Sequence, residues 1–67
     1  MLKIRYSKHA RFRMIERGIS HREVENAINK GAKRLQGRKI VSAYSYFEVV
    51  YKKAGEKIYV ITIKPRW

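Results

Sequence analysis

The sequence predicts an α+β domain, with two N-terminal helices packed on one face of a three- to four-stranded antiparallel sheet. In the first half, two stretches each begin at a serine suited to capping a helix and end at a glycine suited to stopping one. From Ala32 onward the chain turns to Tyr, Val, Ile and Thr, the residue types that fill strands. At 67 residues there is room for one domain, because a chain of this size buries only about 60% of its unfolded surface.

Leu2, Ile4 and Tyr6 alternate with Lys3 and Arg5, the period of a short first strand. Ser7 is an N-cap, Lys8 to Arg17 the first helix and Gly18 its stop. At about 100° per residue, Phe12 and Ile15 fall on one side of that helix, with Ala10 and Met14 extending the apolar surface. Ser20 opens a second helix over residues 21–30 with capping-box spacing, Glu23 standing at the third position. Val24, Ala27 and Ile28 form its apolar stripe, and Gly31 ends it. Lys39-Ile40-Val41 reads as a weak strand, and 44–52 and 56–64 as strong ones.

Lys53-Ala54-Gly55 suits a three-residue hairpin loop with Gly55 left-handed. That loop would set Lys52 against Glu56 and Val50 against Ile58. Phe47, Val49, Tyr51, Tyr59, Ile61 and Ile63 then share the core face. Tyr44, Tyr46, Glu48, Lys52, Thr62 and Lys64 share the other.

Lys and Arg number 17 against five Glu and no Asp, a formal net charge of +12. Such an excess points to a polyanionic partner. There is no Cys, which excludes a disulfide framework, a thiolate zinc site and a thiol nucleophile. With no Asp there is no Ser-His-Asp triad, and no P-loop or dinucleotide fingerprint is present. No apolar run approaches the ~20 residues of a membrane span. The N-terminus lacks the apolar segment of a signal peptide, and a cytoplasmic location is expected.

His9, Arg13 and Arg17 fall at successive i, i+4 steps, within about 80° of one another on the first helix. An imidazole and two guanidinium groups in one line suit contact with a phosphate chain; an ordinary solvated helix face bordered by Glu16 is the other reading. Imidazole is the side chain suited to general-base work near neutral pH. Metal-independent RNA cleavage uses the substrate 2′-OH as nucleophile, a base to take its proton, cations to stabilise the charge on phosphorus and an acid for the leaving oxygen. His9 fits the base, Arg13 and Arg17 the charge clamp, and Lys64 or a tyrosine the acid. No cofactor and no metal site are expected, since Glu23 and Glu56 already have structural tasks in this reading.

Tyr44, Tyr46 and Trp67 lie near Lys64 and Arg66 in the predicted register, a mix of aromatics and cations suited to stacking on unpaired bases. Packing of the tyrosines at the sheet edge is the alternative. Arg34, Arg38 and Lys39 form a further phosphate track or a plain basic loop, and Lys8 and Arg11 add cations to the first helix.

The segment Ser7-Lys8-His9-Ala10-Arg11-Phe12-Arg13-Met14-Ile15-Glu16-Arg17-Gly18-Ile19, followed by Glu23-Val24 and Ala27-Ile28, resembles a domain-of-unknown-function family marked by Ser-x-His-Ala-x-x-Arg-Met-x-x-Arg-Gly-Ile. Tyr59-Val60-Ile61-Thr62-Ile63 resembles its hydrophobic C-terminal strand. That family is similar in fold to the RelE-like toxins and related small metal-independent ribonucleases. The resemblance implies that His9, Arg13 and Arg17 occupy the marked polar positions. It also implies RNA as substrate, with the ribosome and an acidic antitoxin-like protein as further partners. The other readings are a non-enzymatic RNA- or DNA-binding module and a basic subunit for an acidic protein.

Overall fold

The computed structural model describes residues 3–66. The elements run β1 (Lys3–Tyr6), α1 (Lys8–Arg17), α2 (His21–Lys30), β2 (Ala32–Gln36), β3 (Lys39–Tyr44), β4 (Phe47–Ala54) and β5 (Lys57–Pro65). The strands form one sheet in the order β1-β5-β4-β3-β2, so the sheet is five-stranded. It is also mixed, because β1 lies parallel to β5 while every other pair is antiparallel. Two features extend the predicted three- to four-stranded antiparallel sheet. Residues 32–36 pair with β3 despite being exposed throughout, so backbone pairing rather than burial makes β2 a strand. The first strand joins the last, which closes the chain ends onto one edge pair.

Both helices begin and end where their caps dictate. Ser7 Oγ accepts from the Ala10 N–H at 3.0 Å and donates to the Ile61 carbonyl, so one hydroxyl caps α1 and ties it to β5. Gly18 closes α1 with φ 65°, a left-handed turn that glycine adopts without strain. Ser20 and Glu23 complete the capping box of α2. Behind α2, Ser42 is fully buried and its Oγ donates to the Ala27 carbonyl. Gly31 makes that approach possible, because a Cβ there would collide with Ser42 Oγ and the Ala27 carbonyl oxygen.

The core lies between the helices and one face of the sheet. Ala10, Met14, Ile19, Val24, Ala27 and Ile28 meet Phe47, Val49, Tyr51, Ile58, Val60 and Ile63. The hairpin differs from the one predicted. Ala54 pairs with Lys57 across a two-residue loop, Lys52 faces Tyr59 rather than Glu56, and Lys53 rather than Val50 faces Ile58. A bulge then intervenes: Tyr51 pairs with Val60 and Val50 with Thr62, leaving Ile61 as the extra residue. The bulge reverses the alternation, so Ile58 and Val60 face the core below it and Ile63 above it. Tyr59 is therefore exposed and Ile61 only half-buried, where the unbroken alternation expected both in the core.

The first helix departs from the amphipathic reading as well. Ala10 and Met14 are buried, but Phe12 is 60% and Ile15 82% exposed, because the helix rests on the sheet through the Ala10–Met14 side. The predicted strand over 44–52 is interrupted by a turn at Ser45 and Tyr46 that joins β3 to β4.

Ser20→Ala is expected to cost about 1 kcal/mol, the usual worth of an N-cap. Ser7→Ala is expected to cost more, about 2 kcal/mol, because the Ile61 carbonyl also loses its donor. Urea unfolding of the two variants measures the difference, and equal losses would contradict the double role of Ser7.

Candidate nucleic-acid interface

Both helices lie on one face of the sheet, α1 over β5 and β1 and α2 over β3 and β4. The other face carries no helix. Alternation and register bring to it Arg34 from β2, Lys39, Val41 and Ala43 from β3, Glu48 and Val50 from β4, and Thr62 and Lys64 from β5. Val41 and Val50 are buried despite facing away from the core. They pair with each other at the middle of this face, with Arg34 opposite Val41 on the far side, so long polar side chains shield an apolar floor.

Glu48 organises the centre. Its side chain is only 14% exposed. Arg34 reaches diagonally across β3 and donates to it through Nη1 at 2.9 Å and Nη2 at 3.4 Å. Lys64, its cross-strand partner, stands 4.0 Å away. The hydrogen bonds from Arg34 lower the Glu48 carboxyl below the usual carboxylate range; its partial desolvation opposes them, and Arg34, Lys64 and Arg66 add charge attraction. Arg66 is held at the end of this face, its Nη1 donating to the Ser45 carbonyl at 3.0 Å and its backbone N–H to the Tyr46 carbonyl at 3.1 Å. One carboxylate thus arranges the cations around it without neutralising them all.

The residues singled out by sequence divide into three groups. Arg34, Lys39 and Lys64 share the helix-free face, with Arg38 in the β2–β3 turn and Arg66 at its end. Tyr46, expected on that face, stands instead in the β3–β4 turn with its ring edge-on to the core residue Phe47 at 5.4 Å. Lys8, His9, Arg11, Arg13 and Arg17 lie on α1, so the sheet stands between them and Lys64. Arg13 is engaged with Glu16 at 3.1 Å, whereas the His9 and Arg17 side chains make no hydrogen bond or ion pair among the described residues. Tyr44 is not on the helix-free face as expected: it packs against the core and meets the Phe47 ring edge-on at 6.2 Å. Trp67 lies outside the described residues. Among the described residues no three His or Glu side chains converge to hold a metal ion. No helix is long and apolar enough to cross a membrane.

The strand alternation puts Glu48 on the correct face, but nothing local in the sequence gives it a task. The missing signal was β2: without that strand, Arg34 has no route to the carboxylate.

Two helices on one side of a five-stranded mixed sheet make this an α+β fold of RelE-like arrangement. It is similar to a chain of the toxin–antitoxin complex RelBE2 from Mycobacterium tuberculosis, with a TM-score of 0.72 over 97% of this chain and 98% of that one at 13% sequence identity. The chain belongs to the DUF4258 family, a domain of unknown function, whose model matches residues 6–64. No curated protein matches it.

Glu48 is held ionised by its partners, so its contribution to stability is complete above the ordinary glutamate value of 4.5. That contribution is lost as pH falls below this value through the depressed folded one. Arg34 is about half exposed, so solvent screening keeps the effect small. Glu48→Gln is expected to flatten the acid limb of stability against pH, measured as urea midpoints from neutral to acid solution.

Proposed function

We propose that this protein is a toxin-type endoribonuclease that cuts RNA without a metal, through the substrate's own 2′-OH. The observation that carries the RNA reading is the helix-free face, where Arg34, Lys39, Lys64 and Arg66 surround a shielded apolar floor. Cations on a firm sheet, with Arg38 beside them in the β2–β3 turn, suit a single-stranded backbone. The likeness in fold to a chain of a toxin–antitoxin complex supports the toxin reading.

In this reading His9 takes the 2′-OH proton. The 2′-oxygen bonds to phosphorus as the P–O5′ bond breaks to leave a 2′,3′-cyclic phosphate, and water protonates the departing 5′-oxygen. Arg13 and Arg17 stabilise the charge on phosphorus, with Arg13 exchanging Glu16 for phosphate. Lys8 and Arg11 add attraction beside them. Lys64 is separated from His9 by the sheet and serves as a phosphate cation rather than the general acid. The substrate strand reaches α1 around the β1 edge, since α1 lies over β5 and β1. RNA presented on the ribosome is one form such a substrate takes.

A second reading, binding of an acidic antitoxin-like protein, is favoured by the net charge of +12 and by Phe12 and Ile15, apolar yet exposed on the outer side of α1. Both readings hold together for a toxin. A cytoplasmic site of action fits either.

The pure protein is expected to cleave RNA in excess chelator, and His9→Ala to slow it about 10²–10⁴-fold. Binding is expected to weaken with salt at a log–log slope of about −0.7 per phosphate contacted. A substrate with deoxyribose at the cut site should bind and survive. Equal cleavage of that substrate, or full activity in His9→Ala, contradicts the mechanism; salt-dependent binding without cleavage leaves a non-enzymatic nucleic-acid-binding module.

A further inference from the structure

The other end of the helix-free face holds a second cationic group that the proposed chemistry does not use. Lys52 of β4 pairs with Tyr59 of β5, and Tyr59 pairs in turn with Arg5 of β1. One step along, Ala54 pairs with Lys57 and Lys57 with Lys3. Cross-strand neighbours point to the same side. Lys3, Arg5, Lys52 and Lys57 therefore stand around the Tyr59 ring. Together with Ala54 and Ile58 they line a recess of about 350 Å³. Tyr59 is 47% exposed, a large aromatic left half uncovered at the middle of the group.

Two features bear on what this recess can hold. None of the four cations makes an ion pair among the described residues, whereas Arg34 and Lys64 share Glu48. Lys52 and Lys57 come from the two strands of one hairpin and Lys3 and Arg5 from the strand alongside, so paired backbone fixes their spacing. Four unpaired cations in one place repel one another, and a bound polyanion relieves that repulsion.

We propose that Lys3, Arg5, Lys52, Lys57 and Tyr59 form a subsite for single-stranded nucleic acid, in which one base stacks on Tyr59 and the flanking phosphates contact the four cations. An aromatic face accepts any base, while the cations read the backbone on either side. The subsite rests on the RNA reading above and extends it. It lies at the β1 edge, where a strand crossing the helix-free face would leave it for α1. The neighbourhood of Glu48 would hold phosphates, and this recess would hold a base.

The test is binding of octauridylate, U8, to the full chain at fixed moderate salt. Tyr59→Ala is expected to weaken U8 by roughly fivefold to a hundredfold, the range for loss of one stacked base, and Tyr59→Phe to keep it. Inorganic tripolyphosphate, which has no base, should bind Tyr59→Ala as it binds the wild type. Lys52→Ala with Lys57→Ala should weaken both ligands and reduce the salt slope for U8 by about 1.4, at 0.7 per lost phosphate contact. These side chains are exposed, so the variants are expected to fold, and circular dichroism checks that they do. Unchanged U8 affinity in Tyr59→Ala, with binding lost in Arg34→Ala and Lys64→Ala, overturns the subsite and leaves the RNA reading in place. A wild-type protein that does not bind U8 overturns both.

Discussion

The extra residue in β5 determines what each side of the sheet can be. At Ile61 the strand carries one residue more than β4 opposite it, and the alternation reverses. Below the bulge Ile58 and Val60 point to the helices; above it Ile63 does. Without the reversal, a strand with Ile63 in the core would also turn Tyr59 inward and Val60 outward. The same residue offers its carbonyl to the Ser7 hydroxyl, while the Val60 carbonyl accepts the Ser7 N–H at 2.9 Å. The irregularity in the last strand is thus the anchor of the first helix. Core face, helix position and the exposure of Tyr59 all follow from it.

Much of this was legible in the sequence because it is local. Ser7, Gly18, Ser20 and Gly31 bound both helices by capping chemistry, which needs no distant partner. The alternation in β4 placed Phe47, Val49 and Tyr51 in the core for the same reason. Non-local features were not legible. Ala32–Gln36 is a strand only because β3 supplies its hydrogen bonds. A bulge depends on the mismatch between two strands, so no property of Ile61 alone announces it. Phe12 and Ile15 looked like core because they are large and apolar, yet Ala10 and Met14 bring α1 close to the sheet.

The candidate site shows the same division. His9, Arg13 and Arg17 were legible as one helix row because i, i+4 spacing is local. The group around Glu48 is spread over β2, β4 and β5 and exists only once those strands are in register. The carboxylate adds little stability, but it sets where the cations stand. It fixes Arg34 above Val41 and keeps Lys64 near, so cations that would otherwise repel stand on one firm surface. The helices cover one face of the sheet and leave the cations around Glu48 on the other, while α1 carries a cationic row of its own.

The central claim is that the helix-free face receives RNA. A residue-by-residue map of amide shifts during titration with a short oligouridylate tests it most directly. The account predicts the largest changes at Arg34, Lys39, Glu48, Tyr59 and Lys64, with further ones at His9, Arg13 and Arg17 on α1 and smaller ones at Ala27 and Ile28 beneath the sheet. Changes confined to the two helices, with those sheet residues silent at saturation, would contradict it.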